Sequence, residues 1–128
     1  MIDTLNIGAY IYSVLSEDTE LSSMVTKIVP CIAGNDTKFP FIVWHRTGLT
    51  SNCCKDGYYE DQVQIRLDIV ASTYTSSIDI ANKVRSIIEK VHTKYDTMQI
   101  EDVTIETAYE EWSNDAFIQT IIFNFKVN

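Results

Sequence analysis

Residues 58–70 read YYEDQVQIRLDIV and residues 76–91 read SSIDIANKVRSIIEKV, and between them the hydrophobic period changes. In the first stretch Val63, Ile65, Leu67 and Ile69 alternate with Gln62, Gln64, Arg66 and Asp68. A two-residue period places one set on each side of a pleated strand, so this is a strand with one dry and one wet face. In the second stretch Ile80, Ala81, Val84, Ile87, Ile88 and Val91 fall on one stripe, with Lys83, Arg85, Glu89 and Lys90 mostly away from it. That is the 3.6-residue period of an amphipathic helix, predicted over 76–92. Thr75 or Ser76 can cap its start, and Asp79 suits the positive helix end.

Outward from this pair, residues 3–16 predict a leading helix capped by Asp3 or Thr4, with Leu5, Ala9, Tyr12 and Leu15 at helical spacing and Gly8 as its weak point. A short helical turn over 18–24 and a brief strand over 27–30 follow. Residues 39–47 predict a strand led in by Pro40, and residues 48–57, GLTSNCCKDG, a glycine-bounded loop. Two last strands are predicted at 99–112 and 116–127, joined as a hairpin by the polar Ser113-Asn114-Asp115. The order is α-β-β-β-α-β-β. Mostly antiparallel strands with two main helices on one face make an α+β two-layer sandwich, a single domain over 1–128.

The bulk numbers exclude several function classes. The chain has 128 residues, 45% hydrophobic and 11% aromatic, enough to fill a core without metal or disulfides. Eighteen acids against 10 bases give a net charge of −8. Six of the acids (Glu101, Asp102, Glu106, Glu110, Glu111, Asp115) crowd residues 101–115, and no Lys or Arg stands between Tyr95 and Phe125. Such a surface repels phosphate, which argues against sequence-specific nucleic-acid binding and against anionic membranes. The three cysteines, Cys31, Cys53 and Cys54, have no zinc-type spacing and fit a reducing compartment. No signal peptide or membrane-length apolar run is seen.

The side chains offer no catalytic constellation. His45 lies in a strand and His92 ends a helix, neither with a metal-ligand neighbour at the right spacing. Cys53 and Cys54 stand beside Lys55, which can lower a thiol pKa, but no base and orienting group accompany them. Glu110 and Glu111 point to opposite faces of a strand, whereas Glu106 and Glu110 are expected to share one. No enzyme, metal or cofactor is read here. A surface remains. Residues 116–127 are apolar on both faces, with Phe117, Ile121, Phe123, Phe125 and Val127 on one and Ile118 and Ile122 on the other. The second pair is expected to emerge on the outer face near Trp112, a patch for protein contact, unless residues 25–47 fold over it.

Taken together, the leading helix, FPFIVWHRTG, the polar loop, YYEDQVQIRLDIVA, SSIDIANKVRSIIEKV and the closing hairpin ending in IQTIIFNFKV resemble the tail-completion, or tail-terminator, family of long-tailed bacteriophages and prophages. The plan is similar to that of the phage lambda tail terminator and spans about residues 1–127. The resemblance implies a structural virion protein that forms a ring, typically a hexamer, on the head-proximal end of the tail tube. Such a ring ends tube polymerisation and presents a surface to the head connector. Its partners are then itself, the tube protein and the connector protein. Its place is the host bacterial cytoplasm during assembly and afterwards the virion. On this reading Trp112, Ile118 and Ile122 form the self-contact. The loop residues Leu49, Thr50, Ser51, Asn52, Cys53, Cys54, Lys55 and Asp56 project toward a partner, and Glu106 and Glu110 line an acidic passage for DNA. Two alternatives stay open: another head–tail connector component, and a small cytosolic binding module or thiol enzyme.

Overall fold

The structure, a computed structural model, describes residues 4–53, 59–90, 94–95 and 98–128. A single 3-10 turn (Thr4–Asn6) leads into α1 (Ile7–Glu17) and α2 (Thr19–Met24). Then come β1 (Lys27–Pro30), β2 (Phe41–Cys53), β3 (Tyr59–Ala71), α3 (Tyr74–Glu89), β4 (Lys94–Tyr95), β5 (Met98–Ser113) and β6 (Ala116–Val127). The strands form one sheet in the order β1-β2-β3-β6-β5-β4. β1 runs parallel to β2; every other neighbouring pair is antiparallel. The α+β class and the element order agree with the sequence, and β4 is an addition to them.

Local chemistry explains the joints. Asp18 caps α2 by accepting from the Leu21 amide at 2.9 Å. Thr73 caps α3 by accepting from the Ser76 amide at 3.2 Å, two or three residues before the expected caps Thr75 and Ser76. Thr4 lies in the 3-10 turn rather than capping α1, and Asp3 lies outside the described residues. The β5–β6 hairpin closes on Asn114 and Asp115 alone, with φ of 51° and 60°. That pair of left-handed residues makes the two-residue turn whose twist matches the strands it joins.

One face of the sheet carries the core. Val63, Ile65, Leu67 and Ile69 of β3 and Phe123, Phe125 and Val127 of β6 are buried there. They join Ile7, Tyr10, Ile11 and Leu15 of α1 and Ile80, Val84 and Ile88 of α3 in one apolar cluster. Each such side chain contributes about 1.5–3 kcal/mol through burial. Gly8 has its reason in this layer. A Cβ built there would stand 2.4 Å from the rim of the Trp44 indole, so the residue that weakens α1 as a helix lets it lie close on β2.

Three local features depart from the sequence reading. Residues 48–53 are not a loop: they continue β2 and pair with β3, from Gly48 opposite Gln64 to Cys53 opposite Tyr59. Polar Thr50, Ser51 and Asn52 stand exposed on this arm, so no hydrophobic alternation marks it. Cys54, Lys55 and Asp56 of the expected loop lie outside the described residues. The strands are also bulged: the register shifts between Arg46 and Gly48 in β2, and between Ile100 and Asp102 and between Ile105 and Thr107 in β5. Each bulge reverses the face of every side chain beyond it relative to a regular strand.

Candidate functional site

The sheet face opposite the helices is built in rows, because residues paired across antiparallel strands stand side by side. The first row runs Phe41, Val70, Ile118, Glu111 across β2, β3, β6 and β5. The next reads Val43, Asp68, Thr120, Tyr109, and the third His45, Arg66, Ile122, Thr107. Ile118 and Ile122 therefore do emerge on the open face, half-buried among their neighbours. Phe39 extends the apolar corner by stacking on Phe41, ring centroids 5.8 Å apart. The segment after β1 borders the patch without closing it. Cys31, Ile32 and Ala33 line a hollow of about 250 Å³ beside Val43, Val70 and Ile118. Ile32 itself is 81% exposed.

Toward the other end the same face is polar and internally bonded. Thr120 donates to Asp68 at 2.6 Å, and Arg66 Nε lies 3.2 Å from the same carboxylate. Thr47 donates to the Gln64 side chain at 2.6 Å. Gln64 donates in turn to Asn124 at 3.4 Å, and Asn124 donates to Glu106. Lys126 lies 3.5 Å from Glu60 and 3.8 Å from Glu101. These contacts hold charged groups at the surface in fixed places, each worth little in stability alone.

Two expected groupings do not survive the register. Trp112 pairs with Phe117, not with Ile118, so it stands on the helix side of the sheet. Its ring lies 4.6 Å from that of Phe117, which in turn meets Tyr74 of α3 edge-on at 5.7 Å. Trp112 is still 56% exposed, but it is not part of one patch with Ile118 and Ile122. Glu106 and Glu110 likewise part company. Glu106 sits at a bulge and meets Asn124 on the open face. Glu110 pairs with Gln119 on the helix side, where it accepts from Gln119 at 2.8 Å and from Tyr74 at 3.2 Å. Those two hydrogen bonds hold the Glu110 carboxyl below the usual carboxylate range, and the bond to Glu110 pushes the Tyr74 phenol up. Even spacing suggested a shared face; one extra residue at the bulge undoes it.

Sequence reasoning missed Phe41, Val43 and Val70 as partners of Ile118. The available signal was that residues 41–44 are apolar on both faces, like residues 116–127. Of the expected projecting residues, Leu49 turns inward against the core. Thr50, Ser51, Asn52 and Cys53 are exposed. Among the described residues no group of three His, Cys, Asp or Glu gathers to hold a metal, and no helix is long and apolar enough to cross a membrane.

The sheet's outer edges are open over unequal lengths. β1 covers β2 only from Phe41 to Trp44. β4 covers β5 only at Met98 and Gln99. Among the described residues no further strand pairs with the outward side of either.

No protein-family model matches this chain, and no curated protein sequence matches it. Solved structures do. A chain in the virion of a native gene transfer agent particle superposes with a TM-score of 0.80 at 11% identity, covering 91% of this chain and 90% of that one. The bacteriophage SPP1 gp17 protein superposes with a TM-score of 0.65 at 15% identity, covering 98% of this chain and 91% of that one. At such identities the likeness establishes a shared fold.

Proposed function

We infer that this chain is a structural protein of a tailed phage or a phage-derived particle, acting in the tail or head–tail region. The observation that carries the reading is the near end-to-end fold match to a chain of an assembled gene transfer agent virion, with a second match to a phage protein. Fold alone does not assign function. Two features of this chain point the same way: an uncovered apolar corner at Phe41, Val70 and Ile118, and long open strand edges. Both are surfaces that a protein neighbour covers.

In its finer form the chain caps the tail tube as a ring, ends tube growth and offers its other side to the head connector. The apolar corner with Ile118 and Ile122 is then a contact with neighbouring subunits of the particle. Glu106, with Asp102 on the same face, gives an acidic wall past which DNA slides without being gripped. Glu110, tied to Tyr74 on the other side, has no part in that wall.

The test is to coexpress the chain with the tube protein of its own particle and image the tubes. Tubes of uniform length bearing a ring at one end support the reading. Tubes that grow without limit in the presence of folded protein, and bind none of it, overturn it. Ile118→Asp with Ile122→Asp is expected to abolish the association while the isolated chain keeps its circular dichroism.

A further inference from the structure

We propose that the hollow between the start of α3 and the tip of the β5–β6 hairpin is a binding site for an arginine side chain presented by another protein chain. That the donor is a neighbour in the particle rests on the virion reading above; the site itself rests on geometry.

The walls come first. Tyr74, Trp112 and Phe117 line a hollow of about 250 Å³, with Glu110, Glu111 and Gln119 completing it. Register explains the grouping: Trp112 pairs with Phe117 and, two residues along on the helix side of the sheet, Glu110 pairs with Gln119. Phe117 meets both of the other rings, tilted at 56° against Trp112 and edge-on to Tyr74. Trp112 is 56% exposed and Tyr74 47%, so both keep ring surface open to a ligand. The face of an aromatic ring attracts a cation placed over it.

Charge then selects the occupant. Glu110 accepts from Gln119 at 2.8 Å and from Tyr74 at 3.2 Å, one bond to each oxygen. A carboxylate has about four acceptor positions, so these bonds fix the group and leave it able to accept more. Neither donor is charged, and no ion pair among the described residues includes Glu110. The bond from Gln119, and after it that from Tyr74, holds the carboxyl below its usual range, so it stays charged at neutral pH. An apolar plug in this hollow would desolvate that charge without pairing it, which is costly. A cation from outside pairs it. Of the two candidates, arginine suits the walls: its planar guanidinium stacks on a ring while its N–H groups reach a carboxylate, whereas an ammonium is compact and more strongly hydrated.

NMR titration of the isotope-labelled chain with N-acetyl-arginine amide tests the site. The Trp112 indole N–H and the Tyr74 ring are expected to shift together and saturate in the millimolar range, while the Trp44 indole stays still. The uncharged isostere N-acetyl-citrulline amide should bind about tenfold more weakly, and Glu110→Gln, melting like the parent, should weaken arginine binding by about the same factor. Equal binding of citrulline, or no loss in Glu110→Gln, overturns the site, and an equal constant for N-acetyl-lysine amide overturns the choice of arginine. For the donor, parent and Glu110→Gln chains are coexpressed with the other proteins of the particle. Particles are expected to take up the parent several-fold more. Equal uptake overturns a particle neighbour as the donor. Uptake of neither chain removes the virion reading and that donor with it, while the titration still decides the site.

Discussion

β3 and β5 flank the same strand, β6, and both pair with it antiparallel along most of its length. They nevertheless differ as structures. β3 keeps one register with β6 throughout and buries every second side chain under α1 and α3. β5 shifts register twice and exposes eight consecutive residues at its far end. A hydrogen-bond ladder orders both backbones, β5 chiefly against β6 and β3 against both β6 and β2. The alternation of side chains comes from the helix layer, which β5 largely outruns. A strand is ordered by its neighbour and patterned by its cover.

The largest expected effect lies on the covered strand. Leu67→Ala removes a fully buried side chain and is expected to cost about 2–5 kcal/mol in urea unfolding. Thr107→Ala, on the exposed part of β5, should stay within about 0.5 kcal/mol. Similar losses at the two sites would break the comparison. Next, Gly8→Ala gains helix propensity but forces the Trp44 indole out of its place. A net loss of about 1–2 kcal/mol is expected, with a shifted tryptophan emission spectrum. A gain in stability would show that α1 rides loosely on the sheet.

Smaller still, Trp112→Ala removes the ring packed on Phe117 and should cost about 0.5–1.5 kcal/mol in the isolated chain. A loss as large as that of Leu67→Ala would mean that the hairpin tip belongs to the core. The smallest effect is electrostatic. Glu110 is held below its ordinary pKa. The stability it lends is therefore present above the unfolded carboxylate pKa and fades as pH falls through the lower folded value. Tyr74 is pushed above its ordinary pKa, so its share is present below the unfolded phenol pKa and fades as pH rises through the folded value. Tyrosine titration by NMR should show Tyr74 above the ordinary range, and Glu110→Gln should bring it back toward that range. An unmoved Tyr74 would break this link between α3 and β5.

The same contrast explains what could be read from the residues. Where helices cover the sheet, period alone located the elements: α3, β3 and β6 stand within two or three residues of their expected bounds. The helical turn at Thr19–Met24 and the strand at Lys27–Pro30 also stand where they were expected. Where cover ends, legibility ends too. Residues 48–53 are strand by backbone pairing and loop by composition, since a ladder between exposed arms asks nothing of the side chains. The bulge at Glu106 has no sequence mark, and it is what separates Glu106 from Glu110; the turn at Asn114 and Asp115 alone, one residue shorter than expected, is what sets Trp112 opposite Phe117 and away from Ile118. Of the expected contact patch, Ile118 and Ile122 were placed correctly on the open face; Trp112 was not.

The bulge at Glu106 also bears on how this fold tolerates change over time. Thr107 already pairs with Ile122 and Ile105 with Phe123, leaving Glu106 as the one residue between them without an opposite number. A lineage that dropped it could keep each of those pairs, with the hairpin tip still closing on Asn114 and Asp115. Chain length can thus drift by one here at little structural cost. An alignment of distant relatives that forbids a gap at this point would misplace every residue of the tip, and with it the face on which each acid stands.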